Sequence, residues 1–405
     1  MKSQTVLSVD SISTLRRWSM LVMALTATLC ANVFINGAAF LIPELHLDGE
    51  LHLAQAGLLS AMPSFGVATT MYAWGHVVDR VGERIVLTAG LALTAAAAFA
   101  AAAVDSLVAT GAFLLLGGMA AASNSAASGR LVVGWFPPNR RGLAMGIRHT
   151  ASPLGVGLGA LVIPQLAQHH GVAAALLFPA VLCAASALIS ATGVVDPPRP
   201  PRSEAPTEHL ANPYRGSTVL LRIHAVSMLL VVPQSVVWTF TLVWLMADRG
   251  WSAASAGVVV TVAQLLGAVG RVAAGHWSDR LGARLRPIQI ISVAAALAML
   301  VLAVTDELGA PLSVAVIVIA SMITVTDNGL AYTAIAEFAG PFWSGRALGV
   351  QYTGQMVTMG ATPPVFGALI AAVGYPVAFA ASAIFPLVAP LLVPVHADRE
   401  IADRG

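Results

Sequence analysis

Two ten-residue stretches of this chain nearly repeat one another. Gly75-His76-Val77-Val78-Asp79-Arg80-Val81-Gly82-Glu83-Arg84 is echoed 200 positions later by Gly275-His276-Trp277-Ser278-Asp279-Arg280-Leu281-Gly282-Ala283-Arg284, identical at six of ten positions, and each copy follows a long apolar run. A shorter echo falls 203 positions apart, Gly146-Ile147-Arg148-His149-Thr150 and Gly349-Val350-Gln351-Tyr352-Thr353. Self-similarity at a fixed long period is the trace of a duplicated unit. Any fold for this chain must therefore place residues 75–84 and 275–284 at equivalent points of two similar halves.

The flanking sequence decides the medium. The 405 residues are 57% hydrophobic and 10% charged, with a mean hydropathy of +0.81. A soluble domain carries about 25% charged residues, so this composition belongs in a bilayer. A spanning helix needs about 20 apolar residues. Windows broken by Pro, Gly and charge predict twelve spans, at 18–42, 54–76, 85–104, 107–134, 142–166, 171–194, 218–246, 253–276, 287–304, 311–337, 346–372 and 375–394. Twelve helices use roughly 240 to 270 residues, which leaves short loops and no room for a folded soluble domain. The apolar run from Trp18 follows Lys2, Arg16 and Arg17 as in a signal peptide, but its length suits a first span better. Cys30 and Cys183 lie inside apolar runs without metal-ligand or redox spacing and read as buried small side chains.

The longest polar interruption is 196–217, rich in proline and mixed charge, a composition that cannot bury a core and reads as a linker. It divides the chain into 1–195 and 218–405, six spans each. Arginine gives the orientation. Arg80, Arg84, Arg140, Arg141, Arg199, Arg202, Arg215, Arg280, Arg284 and Arg286 all fall in alternate loops, and the tails add Lys2, Arg16, Arg17, Arg399 and Arg404. The opposite loops hold Glu44, Asp48, Glu50, Asp105, Asp306 and Glu307, with Arg249 as their basic residue. By the positive-inside rule, both termini and the linker are expected in the cytoplasm.

The repeated stretch resembles the signature of the major facilitator superfamily, G-x-x-x-D-R-x-G-x-R between the second and third spans, and both copies match it at every fixed position. The resemblance covers nearly the whole chain. It implies an all-α membrane protein with twelve transmembrane helices in two pseudo-symmetric six-helix bundles. Such a protein is a secondary transporter whose halves rock about a midplane cavity. In this family the signature acts as a cytoplasmic latch. Carried over, the latch comprises Gly75, Asp79, Arg80, Gly82 and Arg84, with Gly275, Asp279, Arg280, Gly282 and Arg284. Asp79 would pair with Arg130, Arg140 or Arg141, and Asp279 with Arg346. The competing reading is a turn whose arginines snorkel and only fix topology. Gly75 and Gly275 are read as ending helices where backbones approach closely.

Ionisable residues inside spans are costly and are site candidates by default. Arg271 lies one turn before Gly275 and needs an anion, water or carbonyls as partner; the alternative is snorkelling to the surface. Monocarboxylate porters of the resembling family carry an arginine at this offset, with an aspartate one turn earlier where this chain has Gly267. Arg148 suits a carboxylate or inorganic anion because its planar fork binds two oxygens, or else belongs to the latch. His149 titrates near neutrality and is either a proton carrier or a bystander. Asp327, deep in span ten, is either a proton-carrying acid or a structural hydrogen-bond hub, since burial penalises its charged form. Asn36, Gln234, Gln351 and Gln355 are candidate cavity-lining groups, or interhelical glue. Arg222 and His224 read as interfacial anchors. Pro153 predicts a kink in span five.

Drug–proton antiporters of the family carry G-P-x-x-G-G where this chain has Ser152-Pro153-Leu154-Gly155-Val156-Gly157, which disfavours drug export. No H-E-x-x-H, G-x-S-x-G or Walker loop occurs, and His169-His170 stands alone, so neither enzyme chemistry, metal, cofactor nor ATP drive is expected. Scattered basic residues leave no nucleic-acid footprint. The expected protein sits in the plasma (bacterial inner) membrane, with the lipid bilayer, a small-molecule substrate and protons as partners and no obligate protein partner. A small organic anion, bound by Arg271 and Arg148 with Asp327 or His149 carrying a proton, is the leading substrate class. Export of an amphipathic drug or metabolite is the alternative.

Overall fold

The computed structural model describes residues 13–41, 53–198 and 210–399. Half of the linker, residues 199–209, together with Lys2, Glu44, Asp48, Glu50 and Arg404, lies outside the described residues. Among the described residues every regular element is a helix. In chain order these are α1 Thr14–Gly37, α2 Leu53–Val81, α3 Glu83–Ala102, α4 Leu107–Trp135, α5 Pro138–His149, α6 Ala151–Gly193, α7 Val219–Val243, α8 Ala253–Leu281, α9 Leu285–Glu307, α10 Leu312–Ile323, α11 Asp327–Ala339, α12 Ser344–Val373, α13 Tyr375–Ser382 and α14 Ile384–Leu392. Ten segments are long and apolar enough to span a membrane. Helix α2, 29 residues long, and the division of 138–193 at Gly171, whose φ is 82, bring the long helical segments among the described residues to twelve. Helices dominate because in lipid each backbone N–H must find its carbonyl within its own segment.

Several boundaries differ from the expected spans for local reasons. Helices α2 and α8 run past Gly75 and Gly275 to Val81 and Leu281, so the repeated aspartates stand in helical last turns. What ends α8 is Gly282, at φ 59, a left-handed cap that a side chain would strain. The break expected at Pro153 is found: with no N–H for the His149 carbonyl, span five divides at Thr150 between α5 and α6, and Pro153 itself falls in the first turn of α6. Span ten, expected to be continuous, is interrupted between α10 and α11. There Thr324 and Thr326 turn their hydroxyls back onto the carbonyls of Ala320 and Ile323, at 2.8 and 2.7 Å. Such back-bonding competes with the backbone ladder and bends a helix. The last span divides at Ala383 because Pro386 has no N–H for the Ser382 carbonyl.

The chain forms two compact units, and each borrows a short segment from the other half of the sequence. Unit 1 contains residues 1–137, 150–211 and 340–350; unit 2 contains 138–149, 212–339 and 351–405. In unit 1, α2 and α3 pack on α4, and α1 and α3 on α6, around Phe34, Met71, Leu87, Leu91 and Trp135. Unit 2 closes around Val236, Trp244, Met299, Leu302, Ile317 and Phe379. Large apolar side chains such as Leu161, Leu188, Leu300 and Leu391 remain exposed, as surfaces bathed in acyl chains require.

Candidate functional site

In unit 1 the first repeated aspartate serves as a helix cap built from a distant segment. Asp79 accepts from the backbone N–H groups of Gly345 and Arg346 at 2.9 and 3.1 Å, which are the free donors of the first turn of α12. The same carboxylate receives Arg346 Nε at 2.9 Å and Arg130 Nη1 at 2.6 Å. Arg130 also reaches Glu83 at 3.0 Å and the Pro341 carbonyl at 2.9 Å. The helices approach this closely because Gly75 and Gly345 face each other: a Cβ on either would collide with the other's carbonyl oxygen.

Unit 2 repeats the device with different partners. Asp279 caps α5 by accepting from Gly142 and Leu143 N–H at 2.9 and 2.8 Å, and it pairs with Arg284 Nη1 at 2.6 Å. Arg284 continues to Glu337 at 3.1 Å and to the Pro138 carbonyl, while Arg141 joins Glu337 at 3.3 Å. Burial works against the charge of Arg284, but the carboxylates of Glu337 and Asp279 more than offset it and hold its pKa above the ordinary guanidinium value. Each cluster balances two carboxylates against two arginines. The expected partner of Asp79, Arg130, is found. Arg141 pairs with Glu337, and Arg346 pairs with Asp79 while Asp279 takes Arg284. Each borrowed segment carries its arginine into the unit that receives it, which is why the pairing differs from the expected one.

The other signature arginines do different work. Arg84 donates through its guanidinium to the Ala191 carbonyl at the end of α6, and its backbone N–H reaches Asp196 at 2.7 Å. Asp398 does the same at the start of α9, accepting from Arg284, Leu285 and Arg286 N–H at 2.8, 2.8 and 3.0 Å. Arg80 and Arg280 close the last turns of α2 and α8, where their charge suits the helix dipole. Gly82, at φ 100, makes the turn into α3.

Four of the intramembrane candidates come together inside unit 2. Arg148 ends α5, 3% exposed, and Arg271 lies on α8, 5% exposed. Gly146 lets these helices touch; a Cβ there would stand 2.6 Å from the Arg271 carbonyl oxygen. Asp327 opens α11 at the break in span ten, 1% exposed, within electrostatic reach of Arg271. Neither member of that pair is saturated: Arg271 Nη1 and Asp327 Oδ2 have no hydrogen-bond partner. A buried guanidinium donor and a buried carboxylate oxygen without partners are expensive, and such groups mark sites where something else binds. His149 accepts through Nε2 from Arg148 Nη1 at 3.2 Å. Arginine can only donate, so this nitrogen carries no proton and the imidazole is the neutral Nδ1–H form. Two guanidiniums against one carboxylate leave the cluster one positive charge in excess.

The remaining polar candidates are mostly engaged. His224, expected as an interfacial anchor, is buried and bonds Gln351 Oε1 at 2.7 Å and Tyr214 OH at 3.0 Å. Arg222 caps the final span through the Leu392 carbonyl at 2.8 Å. Gln351 and Gln355 both donate to Ser227, the latter at 2.8 Å. Gln355 further meets Tyr332 OH at 2.8 Å and Asn328 at 3.1 Å, and Asn328 donates to Gln234 at 3.1 Å. Tyr332 lies edge-on to His149, with centroids 5.0 Å apart, which ties this network to the charged cluster. Asn36 belongs to unit 1 and donates to the Asn32 carbonyl at 3.0 Å, within its own helix. Ser227, Glu83, Glu337 and Asp398 escaped the sequence reading. Among them only Asp398 had a signal, standing 202 positions after Asp196, between the 200 and 203 of the two repeated stretches. Among the described residues no group of three or more His, Cys, Asp or Glu converges as a metal site requires.

The model of the Major Facilitator Superfamily matches residues 24–358. The chain belongs to this superfamily. An uncharacterized MFS-type transporter of Mycobacterium tuberculosis is 54% identical over 380 residues, covering 94% of this chain and 85% of the relative. A gallate transporter of Pseudomonas putida is 25% identical over 391 residues, covering 87% and 84%. Among solved structures, a proton:xylose symporter of the superfamily superposes with a TM-score of 0.76 at 14% identity, covering 94% of this chain and 95% of that one. This MFS protein is thus a multi-pass integral membrane transporter of small molecules, with the twelve-helix fold of its superfamily.

Proposed function

We propose that this transporter moves a small organic anion by alternating access, with Arg271 as its principal anchor and Arg148 as the second positive group. The observation that carries the reading is the unsaturated pair in unit 2, Arg271 Nη1 and Asp327 Oδ2, both buried and without hydrogen-bond partners. An incoming carboxylate completes the donor set of Arg271 and removes the excess positive charge of the cluster. In doing so it competes with Asp327 for the same guanidinium. Once displaced, Asp327 is a buried carboxylate without a counter-charge and takes up a proton, so anion and proton travel together. His149 holds its neutral tautomer against Arg148 and leaves that role to Asp327. The distant likeness to a transporter named for gallate, a carboxylate, supports the substrate class.

In this reading the two capped helices are the latch. Asp79 and Asp279 hold the starts of α12 and α5, and the transport cycle breaks and remakes these caps as halves 1–195 and 218–405, joined by 196–217, rock about the site. The protein lies in the bacterial inner membrane with both termini cytoplasmic. The test is flux in proteoliposomes under an imposed proton gradient. Carboxylate uptake falls about 100-fold in Arg271→Gln, the cost of losing one buried charge-assisted partner, and loses its proton dependence in Asp327→Asn. Wild-type uptake by the Arg271→Gln protein defeats the proposal, and drug efflux that ignores the same substitution supports an apolar cavity instead.

A further inference from the structure

One cavity of unit 2 has the chemistry to select among anions. It lies between α7, α8 and α10, holds about 30 Å³, and is lined by Gln234, Trp238, Gln264, Gly267, Ser321 and Thr324 among others. A water needs about 10–15 Å³ of such space, so the cavity suits hydroxyl-sized groups and no larger body. Gly267 stands one helical turn before Arg271 on α8, and residues four apart share a helix face. The wall is neutral but carries both halves of a hydrogen bond. Ser321 and Thr324 give their protons to the carbonyls of Ile317 and Ala320, at 2.7 and 2.8 Å, which leaves their lone pairs as acceptors. Gln234 accepts from Asn328, which leaves its amide N–H groups as donors. A group that both donates and accepts, a hydroxyl, satisfies such a wall, whereas a second carboxylate finds no cation in it.

We propose that this cavity is the specificity subsite of the transporter: it receives a hydroxyl substituent of the anion whose carboxylate is held by Arg271, so the preferred substrates are hydroxycarboxylates. The proposal rests on the anion reading above. Gly267 keeps the subsite open, since a Cβ there would stand 3.1 Å from a Val325 methyl and project into the space beside it. Ser321, Thr324 and Gln234 supply the recognition.

The experiment is competition in proteoliposomes, with matched acids that differ by one hydroxyl, propionate against lactate and benzoate against hydroxybenzoate, each displacing a labelled carboxylate. The wild type favours the hydroxylated member of at least one pair by about tenfold, the worth of one well-formed hydrogen bond. Gly267→Ala and Ser321→Ala each bring that ratio towards one, while the hydroxyl-free member still competes as in the wild type. Arg271→Gln removes binding of both members and so reports on the parent reading separately. An unchanged ratio in both Gly267→Ala and Ser321→Ala overturns the subsite while leaving the anion site standing. Wild-type protein indifferent to the hydroxyl overturns the subsite too, and wild-type protein that binds no carboxylate overturns both.

Discussion

At the scale of single residues, the protein concentrates charge where lipid would otherwise forbid it and neutralises nearly all of it. Asp79 is the clearest case, with two arginines and two backbone N–H groups on one carboxylate. Asp79→Asn preserves the shape but takes the carboxylate from Arg346 and leaves Arg130 with Glu83 alone, and removing one partner of a buried pair costs about 3 kcal/mol. A lowered thermal unfolding temperature in detergent is the expected outcome; an unchanged one shows that the cap contributes little. Arg271 differs in that one of its donors, Nη1, has no partner. Arg271→Gln alone leaves Asp327 without its counter-charge. Arg271→Gln combined with Asp327→Asn removes both charges, so the double variant keeps its thermal stability while its flux is lost, which separates ligand residues from structural ones.

Among the elements, helix ends carry the organisation. The turn at Gly282 needs a left-handed backbone, and Gly282→Ala costs about 1 kcal/mol, readable as a few degrees in the unfolding midpoint. Gly275 is a stricter position because its neighbour is backbone: a side chain there meets the Gly142 carbonyl, which has no rotamer to give. Gly275→Val is expected to separate α8 from α5 and abolish transport even where the protein inserts in the membrane. Transport at wild-type rate by that variant would show that the crossing opens freely. The break in span ten works differently, because Thr324 and Thr326 make it with their hydroxyls, and it brings Asp327 to a helix start opposite Arg271. Thr326→Val removes one of those back-bonds and should change the kinetics of uptake more than the stability of the fold.

For the whole molecule, the duplication has been kept in architecture and relaxed in chemistry. Both units hold a borrowed helix start on an aspartate of the repeated stretch, yet one aspartate is served by Arg130 and Arg346 and the other by Arg284. Because the clusters share no residue, the destabilisation of Asp79→Asn and Asp279→Asn is expected to add in the double variant, within about 0.5 kcal/mol. A marked departure from additivity would mean that the two caps open as one event. Topology is testable at the same scale. A reporter inserted at Ser203 should be read from the cytoplasm and one after Asp105 from the opposite side, and the reverse pattern would contradict the arginine asymmetry.

The twelve crossings, the duplication and the membrane setting were legible in the sequence because hydropathy and repeat spacing act along the chain, where lipid imposes a fixed helix length. The intramembrane candidates Arg148, Arg271 and Asp327 were legible for the same reason, since charge at such depth is costly wherever it points. Their convergence was not, nor was the exchange that gives Asp79 to Arg346 and Asp279 to Arg284. Those partners lie far apart in the chain, and only packing decides which helix start comes within 3 Å of which carboxylate. The space beside Gly267 belongs to the same class, because a missing side chain becomes a cavity only when three helices fail to fill it.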